Sequence, residues 1–368
     1  MIIFDWDGTA VPDRHSPIGD LQSALERILK EGALCAIVTG TNLDTILKQG
    51  IETLTCVAKQ GLHICTNRGS EVYDFNSLGN PRLIFRRQAT ASENLSLDNA
   101  ARGLHNRIQT QDKGMKTEVI LNRLNRRKVD LIPEPKWTSP KKAQFRELLS
   151  AVEARMAKSG ISGGIPQLIK EAEEISRQAG LSHPKITSDL KHIEIGLTDK
   201  GDSASWIARN IIDPGKISLT RVSVWGDELG SQGSLPGSDA LMRTPELREA
   251  SFFSVGVEPE GVPSWVHSLG GGPARFIKFL HLQSGLRQQS HIRQQSDPRR
   301  TDPTPTQDCT WVLEQEGFDP TRERLTETLF AIGNGNLGVR WTSDLPIPAA
   351  HADLFVAGIY DQRIPSQP

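Results

Sequence analysis

A chain of 368 residues, 37% hydrophobic and 24% charged, has an ordinary globular composition and material for two or three folded units of about 150 residues each. Its formal net charge of -1 gives no global drive toward nucleic acid or anionic membrane, so any anion binding must be local. Apolar runs fall short of the ~20 residues that span a bilayer, and neither a basic-apolar leader nor zinc-type cysteine spacing is present. The expectation is a cytoplasmic protein without nucleic-acid or membrane partners, whose scattered cysteines (Cys35, Cys56, Cys65 and Cys309) are reduced core residues.

The first predicted element is the buried strand Ile2, Ile3, Phe4, which runs into Asp5-Trp-Asp-Gly-Thr9. Asp5 and Asp7 then lie at a strand end, where open α/β sheets bind ligands. A carboxylate at Asp5 can hold Mg²⁺ with one oxygen and attack a phosphate ester with the other. Asp7 can protonate the leaving alkoxide and later deprotonate water. Gly8 permits a tight turn that brings amides toward phosphate oxygens. Taken alone, the segment could equally be a solvated acidic turn.

Ile18, Leu21, Leu25, Ile28 and Leu29 have helical spacing over 18–31, with Gly32 as a stop. A strand over 34–38 ends in Thr39-Gly-Thr-Asn42, where the Thr39 hydroxyl and the Gly40 backbone can hold phosphate oxygens. A short helix over 43–48 and strands over 54–58 and 62–65 follow. This alternation predicts a doubly wound parallel sheet.

From residue 68 the pattern changes to strands over 83–85, 118–121 and 128–132 and helices over 93–108, 140–157 and 167–179. Val119 and Leu121, then Val129 and Leu131, alternate with polar residues around 122–127, as in a half-exposed antiparallel hairpin. Its basic cluster Arg123, Arg126, Arg127 and Lys128 could meet a second anionic group or sugar hydroxyls. The favoured reading is a solvated hairpin turn, since charge runs usually lie on exposed faces.

Ile193, Ile195 and Leu197 alternate before Thr198-Asp-Lys-Gly-Asp202, which puts Lys200 at a helix start with its ammonium available to an anion. A strand over 221–225 ends in Gly226-Asp-Glu228, and Asp239 follows in a glycine-rich loop; these acids could complete a metal site. A late strand over 251–257 and a helix over 273–282 close the region. Residues 284–308, rich in Gln, Arg, Ser and Pro, read as a disordered linker.

In order and context, these four segments resemble the four motifs of the haloacid dehalogenase superfamily of phosphatases and phosphomutases. The resemblance implies a Rossmann-like α/β core over 1–67 and 190–283 and an α+β type 2 cap over 68–189. It makes Asp5 the nucleophile, Asp7 the general acid/base, Thr39 (with Gly40) the phosphate holder and Lys200 the cation that stabilises the intermediate. Magnesium would be held by Asp5, Asp7, Asp227 and a further acid. For that acid Asp239 is favoured over Glu228, because Pro236-Gly-Ser-Asp239 is similar to an extended form of the motif in phosphomannomutase-like members. Thr66-Asn-Arg-Gly-Ser-Glu-Val-Tyr73 resembles the entry into such caps. Asp at position 7 matches the phosphatases and mutases, whereas the transport ATPases carry Thr there.

Residues 309–368 form a β-rich segment that resembles the opening of glycoside hydrolase family 65, through Gly333-Asn-Gly-Asn-Leu-Gly338 and Val356-Ala-Gly-Ile-Tyr-Asp361. The catalytic barrel of that family lies downstream of such a segment, so no glycosidic chemistry is assigned to it. Asn334 and Arg340 read as turn and packing residues. About 60 residues sustain little core alone, so the segment is expected to be poorly packed or docked, with a family 65 partner or a C-terminal continuation. The expected function is Mg²⁺-dependent hydrolysis of a phosphorylated sugar, such as a hexose phosphate or trehalose 6-phosphate. A phosphohexomutase is the alternative enzyme, and a weakly catalytic binding or regulatory module is the alternative of another class.

Overall fold

The structure, a computed structural model, describes residues 1–295 except 112, 113, 139, 141–143, 162, 233, 234 and 259, together with 332, 333, 337–340 and 353–356. The chain divides into two units, Met1–Ser296 and Asp297–Pro368. In the second, strands Ile332–Gly333, Leu337–Arg340 and Asp353–Val356 pair antiparallel. Asn334, Cys309 and the packing expected of the tail lie outside the described residues.

The first unit is built on an eight-stranded sheet. Its first strand, β1 (Ile2–Asp5), is buried along its whole length, and so is its neighbour β2 (Cys35–Val38), as near-continuous apolar runs require when helices cover both faces. The parallel sheet extends on one side through β3 (Leu62–Thr66). The hairpin β4 (Glu71–Phe75) and β5 (Pro81–Arg86) adds antiparallel edge strands. On the other side of β1 lie β10 (Ser223–Gly226), β11 (Ser251–Ser254) and β12 (Val266–Ser268), all parallel. Strand order therefore reverses at β1, which opens a crevice between the carboxyl ends of β1, β2 and β10.

Helix α1 (Asp20–Lys30) buries Leu21, Ala24, Leu25, Ile28 and Leu29 along one stripe, against one face of the sheet. Helix α8 (Gly272–Gln295) joins that face through Phe276, whose ring lies 4.8 Å from Phe4 and 5.5 Å from Trp225. On the opposite face, α7 (Lys200–Ile207) packs Ala204 and Ile207 against Ile3, Val38 and Val224. Helix α2 (Leu43–Gln49) and the single turn α3 (Cys56–Lys59) join the α1 side through Ile46 and Ala58.

The α3 turn corrects the strand expected over 54–58. Thr55 caps it by accepting from the Ala58 amide, and that local bond outweighs the β preference of Cys-Val. Cys56 is consequently exposed rather than a core thiol, whereas Cys35 and Cys65 are buried and their pKa values are pushed by that burial up to about 12. The closing helix expected over 273–282 runs on to Gln295, so residues 284–295 of the predicted linker are helical; 296–308 lie outside the described residues. No helix among the described residues is long and apolar enough to cross a membrane.

The inserted unit has its own core. A four-stranded antiparallel sheet carries β6 (Glu118–Arg123), β7 (Arg126–Asp130), β8 (Lys185–Ser188) and β9 (His192–Gly196) in the order β6-β7-β9-β8. Helices α4 (Ala91–Gln111), α5 (Phe145–Lys158) and α6 (Gly164–Gln178) contribute Leu97, Leu104, Leu148, Val152, Leu168 and Ala172 to a cluster with Val129, Ile193 and Ile195. Two boundaries therefore move from those expected. Strands β4 and β5 belong to the core sheet, because β4 pairs with β3 at Ile64↔Tyr73 and Cys65↔Val72. Strand β9 belongs to the cap, because Ile193 and Ile195 alternate into the cap core and pair with β7. The cap thus spans about 91–196 rather than 68–189.

Candidate active site

Asp5 is the last residue of β1 and pairs in register with Val38, so Thr39 follows on the adjacent strand end; Asp227 directly follows Gly226, the last residue of β10. Lys200 opens α7, and the helix start is fixed by a capping box in which the Asp199 side chain accepts from the Gly201 and Asp202 amides while Asp202 accepts from the Asp199 amide. These elements bring together residues up to 234 positions apart in sequence.

The Lys200 ammonium donates to Asp5 Oδ1 at 2.7 Å and to Asp239 Oδ1 at 2.6 Å, all three groups being buried. Burial works against the lysine's charge, but Asp239 and then Asp5 outweigh it and hold its pKa above the ordinary value. Asp239, with no exposed surface, accepts through Oδ2 from the amides of Asp227 and Glu228 at 3.0 and 2.9 Å. That approach requires Gly226, since a Cβ there would lie 2.6 Å from Asp239 Oδ2 and 2.7 Å from its Cγ. Thr9 donates to Asp227 Oδ1 at 3.1 Å.

Oxygen atoms of Asp5, Asp227 and Asp239 lie within 4.8 Å of one another. Three buried carboxylates against one ammonium give a local charge of -2 (three negative, one positive). Such an excess of oxygen anions suits a hard divalent cation. Glu228, the alternative fifth acid, stands outside this group and accepts from Ser238 Oγ at 2.9 Å. Asp7, expected among the metal ligands, also stands outside it: its half-buried side chain accepts from Thr41 Oγ1 at 3.5 Å. The physical reason is its position two residues past Asp5, in the turn after the strand, where it faces the Thr39-Gly-Thr41 loop. Thr39 itself is buried, with its hydroxyl oxygen accepting from the Thr41 amide at 3.1 Å, and Gly40 continues the same loop.

Sequence reading did not single out Thr9, Thr41 or Arg68. The first two lie inside motifs whose other members were assigned; Arg68 lies in the turn after β3. Its backbone amide donates to Thr39 O at 3.1 Å, and its side chain reaches the cap, donating to Thr187 Oγ1 at 2.9 Å and pairing with Glu194 at 3.1 Å. On the cap sheet's polar face Arg126 and Lys128 pair with the same Glu194, at 3.4 and 2.5 Å. Burial raises the Glu194 pKa, yet Arg68, Arg126 and Lys128 together hold it below the ordinary value. The basic cluster is thus not a solvated turn: Arg126 and Lys128 are largely buried on this face, Arg127 is buried on the opposite face against Asp98, and only Arg123 is exposed. Alternation along one strand divides the cluster between two surroundings.

Comparison with known proteins finds two kinds of likeness. The family described as glycosyl hydrolase family 65, N-terminal domain, matches residues 313–367. An uncharacterized glycosyl hydrolase of Mycobacterium tuberculosis, in strains CDC 1551 and H37Rv, is 42% identical over 57 residues, 15% of this chain and 4% of that protein. The match therefore spans only a small fraction of those curated relatives. Among solved structures, an N-terminally truncated, IMP-bound IMP-nucleotidase of Plasmodium falciparum has a TM-score of 0.48 at 11% identity, covering 76% of this chain and 66% of its own. Trehalose-6-phosphate phosphatase of Aspergillus fumigatus has a TM-score of 0.45 at 13% identity, covering 77% and 92%.

Proposed function

We propose that the chain is a cytoplasmic Mg²⁺-dependent phosphatase that hydrolyses a phosphorylated sugar through transient phosphorylation of Asp5. The observation that carries the reading is the buried constellation of Asp5, Lys200, Asp227 and Asp239, drawn from separate segments to one crevice at the sheet's switch point. Asp5, Asp227 and Asp239 would hold the cation, which when bound neutralises charge on the phosphoryl oxygens.

In the first step an Asp5 oxygen forms a bond to phosphorus as the ester P–O bond breaks, and Asp7 gives its proton to the departing alkoxide. Water then attacks the phosphorus of the acyl phosphate, Asp7 takes its proton, and the Asp5 carboxylate and inorganic phosphate are released. Thr39 and Gly40 hold the transferring group, and Lys200 stabilises its charge beside Asp5. Thr41, against Asp7, orients the acid. The cap excludes water and meets the sugar.

The sugar is supported by the segment 313–367, whose family likeness is to carbohydrate enzymes, and a family 65 protein or continuation is the partner we assign to it. The extended Pro236-Gly-Ser-Asp239 segment, whose acid joins the cluster, favours a phosphohexomutase as second reading. Phosphate release with Mg²⁺ across a panel of sugar phosphates tests the proposal. Release from at least one, abolished in Asp5→Asn, is expected; activation by a sugar bisphosphate with phosphate kept on the sugar would assign the mutase instead. No turnover of any panel member by folded protein would contradict both.

A further inference from the structure

Two stretches of chain join core and cap, 87–90 entering and 196–199 returning, and one residue holds both, the first through its side chain and the second through its backbone carbonyl. Asn125, at the tip of the β6–β7 hairpin, is 2% exposed and takes the left-handed conformation at φ 54°. Its Oδ1 accepts from the Ala89 amide at 2.8 Å, and its Nδ2 donates to Arg87 O at 2.5 Å and to Ser70 Oγ at 3.0 Å. Its carbonyl accepts from the Leu197 amide at 3.0 Å. Ser70, in the core, is in turn hydrogen-bonded to Thr198 Oγ1 at 2.8 Å, two residues before Lys200.

The core turn that Asn125 grips is itself under backbone strain. Asn67, Arg68 and Gly69 take φ of 52°, 52° and 87° in succession, and a Cβ at Gly69 would lie 2.4 Å from Asp199 O. Left-handed non-glycine residues carry steric strain and persist where the surroundings over-determine them. Here the surroundings are the phosphate-holding loop, since the Asn67 and Arg68 amides donate to Thr41 O and Thr39 O at 3.0 and 3.1 Å. One strained turn therefore touches the Thr39 loop, the returning linker and Asn125.

We propose that Asn125 is the pivot of the cap and a positioning residue that transmits cap orientation, through Ser70 and Thr198, to Lys200. The pivot stands on geometry alone; its effect on Lys200 chemistry rests on the phosphatase reading. Side-chain hydrogen bonds to the entering linker and a main-chain bond to the returning one let the hairpin tip act as a fixed point while the linker dihedrals on either side absorb rotation.

The test is amide hydrogen exchange combined with steady-state kinetics on Asn125→Gly and Asn125→Asp in the full chain. Glycine keeps the left-handed backbone and the Leu197 bond but deletes three side-chain bonds; aspartate keeps only the acceptor for Ala89. Exchange at Ala89, whose acceptor is deleted, is expected to accelerate at least about ten-fold in Asn125→Gly and that at Leu197, whose bond remains, by less, with Val129 and Ile193 in the cap interior unchanged. Asn125→Asp should protect Ala89 more than glycine does, and kcat should fall more than KM changes. Unaltered linker exchange in folded Asn125→Gly would overturn the pivot, as would acceleration spread equally through the cap interior. Loosened linkers with unchanged kcat would overturn the link to Lys200. Should the glycine variant not fold, Ser70→Ala, which removes the Asn125 and Thr198 bonds from the core side, gives the same readout. Because exchange is measured without substrate, failure of the phosphatase reading leaves the pivot result intact.

Discussion

Replacing Asp239 by Asn separates the two tasks that its carboxylate serves. The change removes one charge from a site holding three carboxylates and one ammonium, so its electrostatic effects on folding oppose each other. With an effective dielectric of about 20, losing the attraction to Lys200 at 2.6 Å costs about 6 kcal/mol, while relief of repulsion from two acids within 4.8 Å returns at least about 3.5 kcal/mol each. These nearly cancel, and the amide oxygen can still accept from the Asp227 and Glu228 amides; the net change in stability without metal should be within about 3 kcal/mol. With Mg²⁺ the outcome differs. Wild type should gain about 2.7 kcal/mol at a hundred-fold excess of metal over its dissociation constant, and Asp239→Asn should gain far less at the same concentration. Urea unfolding midpoints with and without Mg²⁺ measure both quantities. An equal magnesium-induced shift in the two proteins would refute the placement of Asp239 in the cation site, and a large metal-free destabilisation would refute the charge balance.

Two further outcomes follow from packing and ionisation. Phe276→Ala should lower stability by about 3–5 kcal/mol, because this fully buried ring joins α8 to Phe4 and Trp225 beneath the crevice; a urea midpoint close to wild type would show that α8 is not anchored there. Glu194, whose pKa Arg68, Arg126 and Lys128 depress, contributes stability above the ordinary glutamate value of about 4.3, and that contribution is lost as pH falls through its lower folded value. Stability should therefore drop less between neutral pH and about pH 3 in Glu194→Gln than in wild type, and an identical drop in denaturation midpoints would contradict the ion cluster.

The parts of the site legible in the sequence were those attached to strand ends. Asp5, Thr39 and Asp227 each directly end or follow a short apolar strand, and parallel pairing of those strands places them side by side. Lys200 was legible because Asp199 and Asp202 mark a helix start. Motif likeness favoured Asp239 over Glu228, and the structure adds the placement: the missing side chain at Gly226 admits Asp239 beside Asp5 and Asp227, while Glu228 turns to Ser238. Spacing alone could not show that Asp7 faces Thr41 outside the three-acid group. The hairpin β4–β5 was read into the cap because sequence order does not say which sheet edge a hairpin joins. Arg126 and Lys128 looked solvated because only the fold reveals that the polar face of the cap sheet meets Arg68 and Glu194. At 54–58 a single side-chain cap on Thr55 reversed the local preference.

The proposed chemistry requires that Asp5 become covalently phosphorylated. Mass spectrometry of protein acid-quenched during turnover of a sugar phosphate with Mg²⁺ should find one phosphoryl group on the peptide that carries Asp5, and none in Asp5→Asn. A phosphoryl group on another residue, or undiminished phosphate release by Asp5→Asn, would rule out Asp5 as the nucleophile.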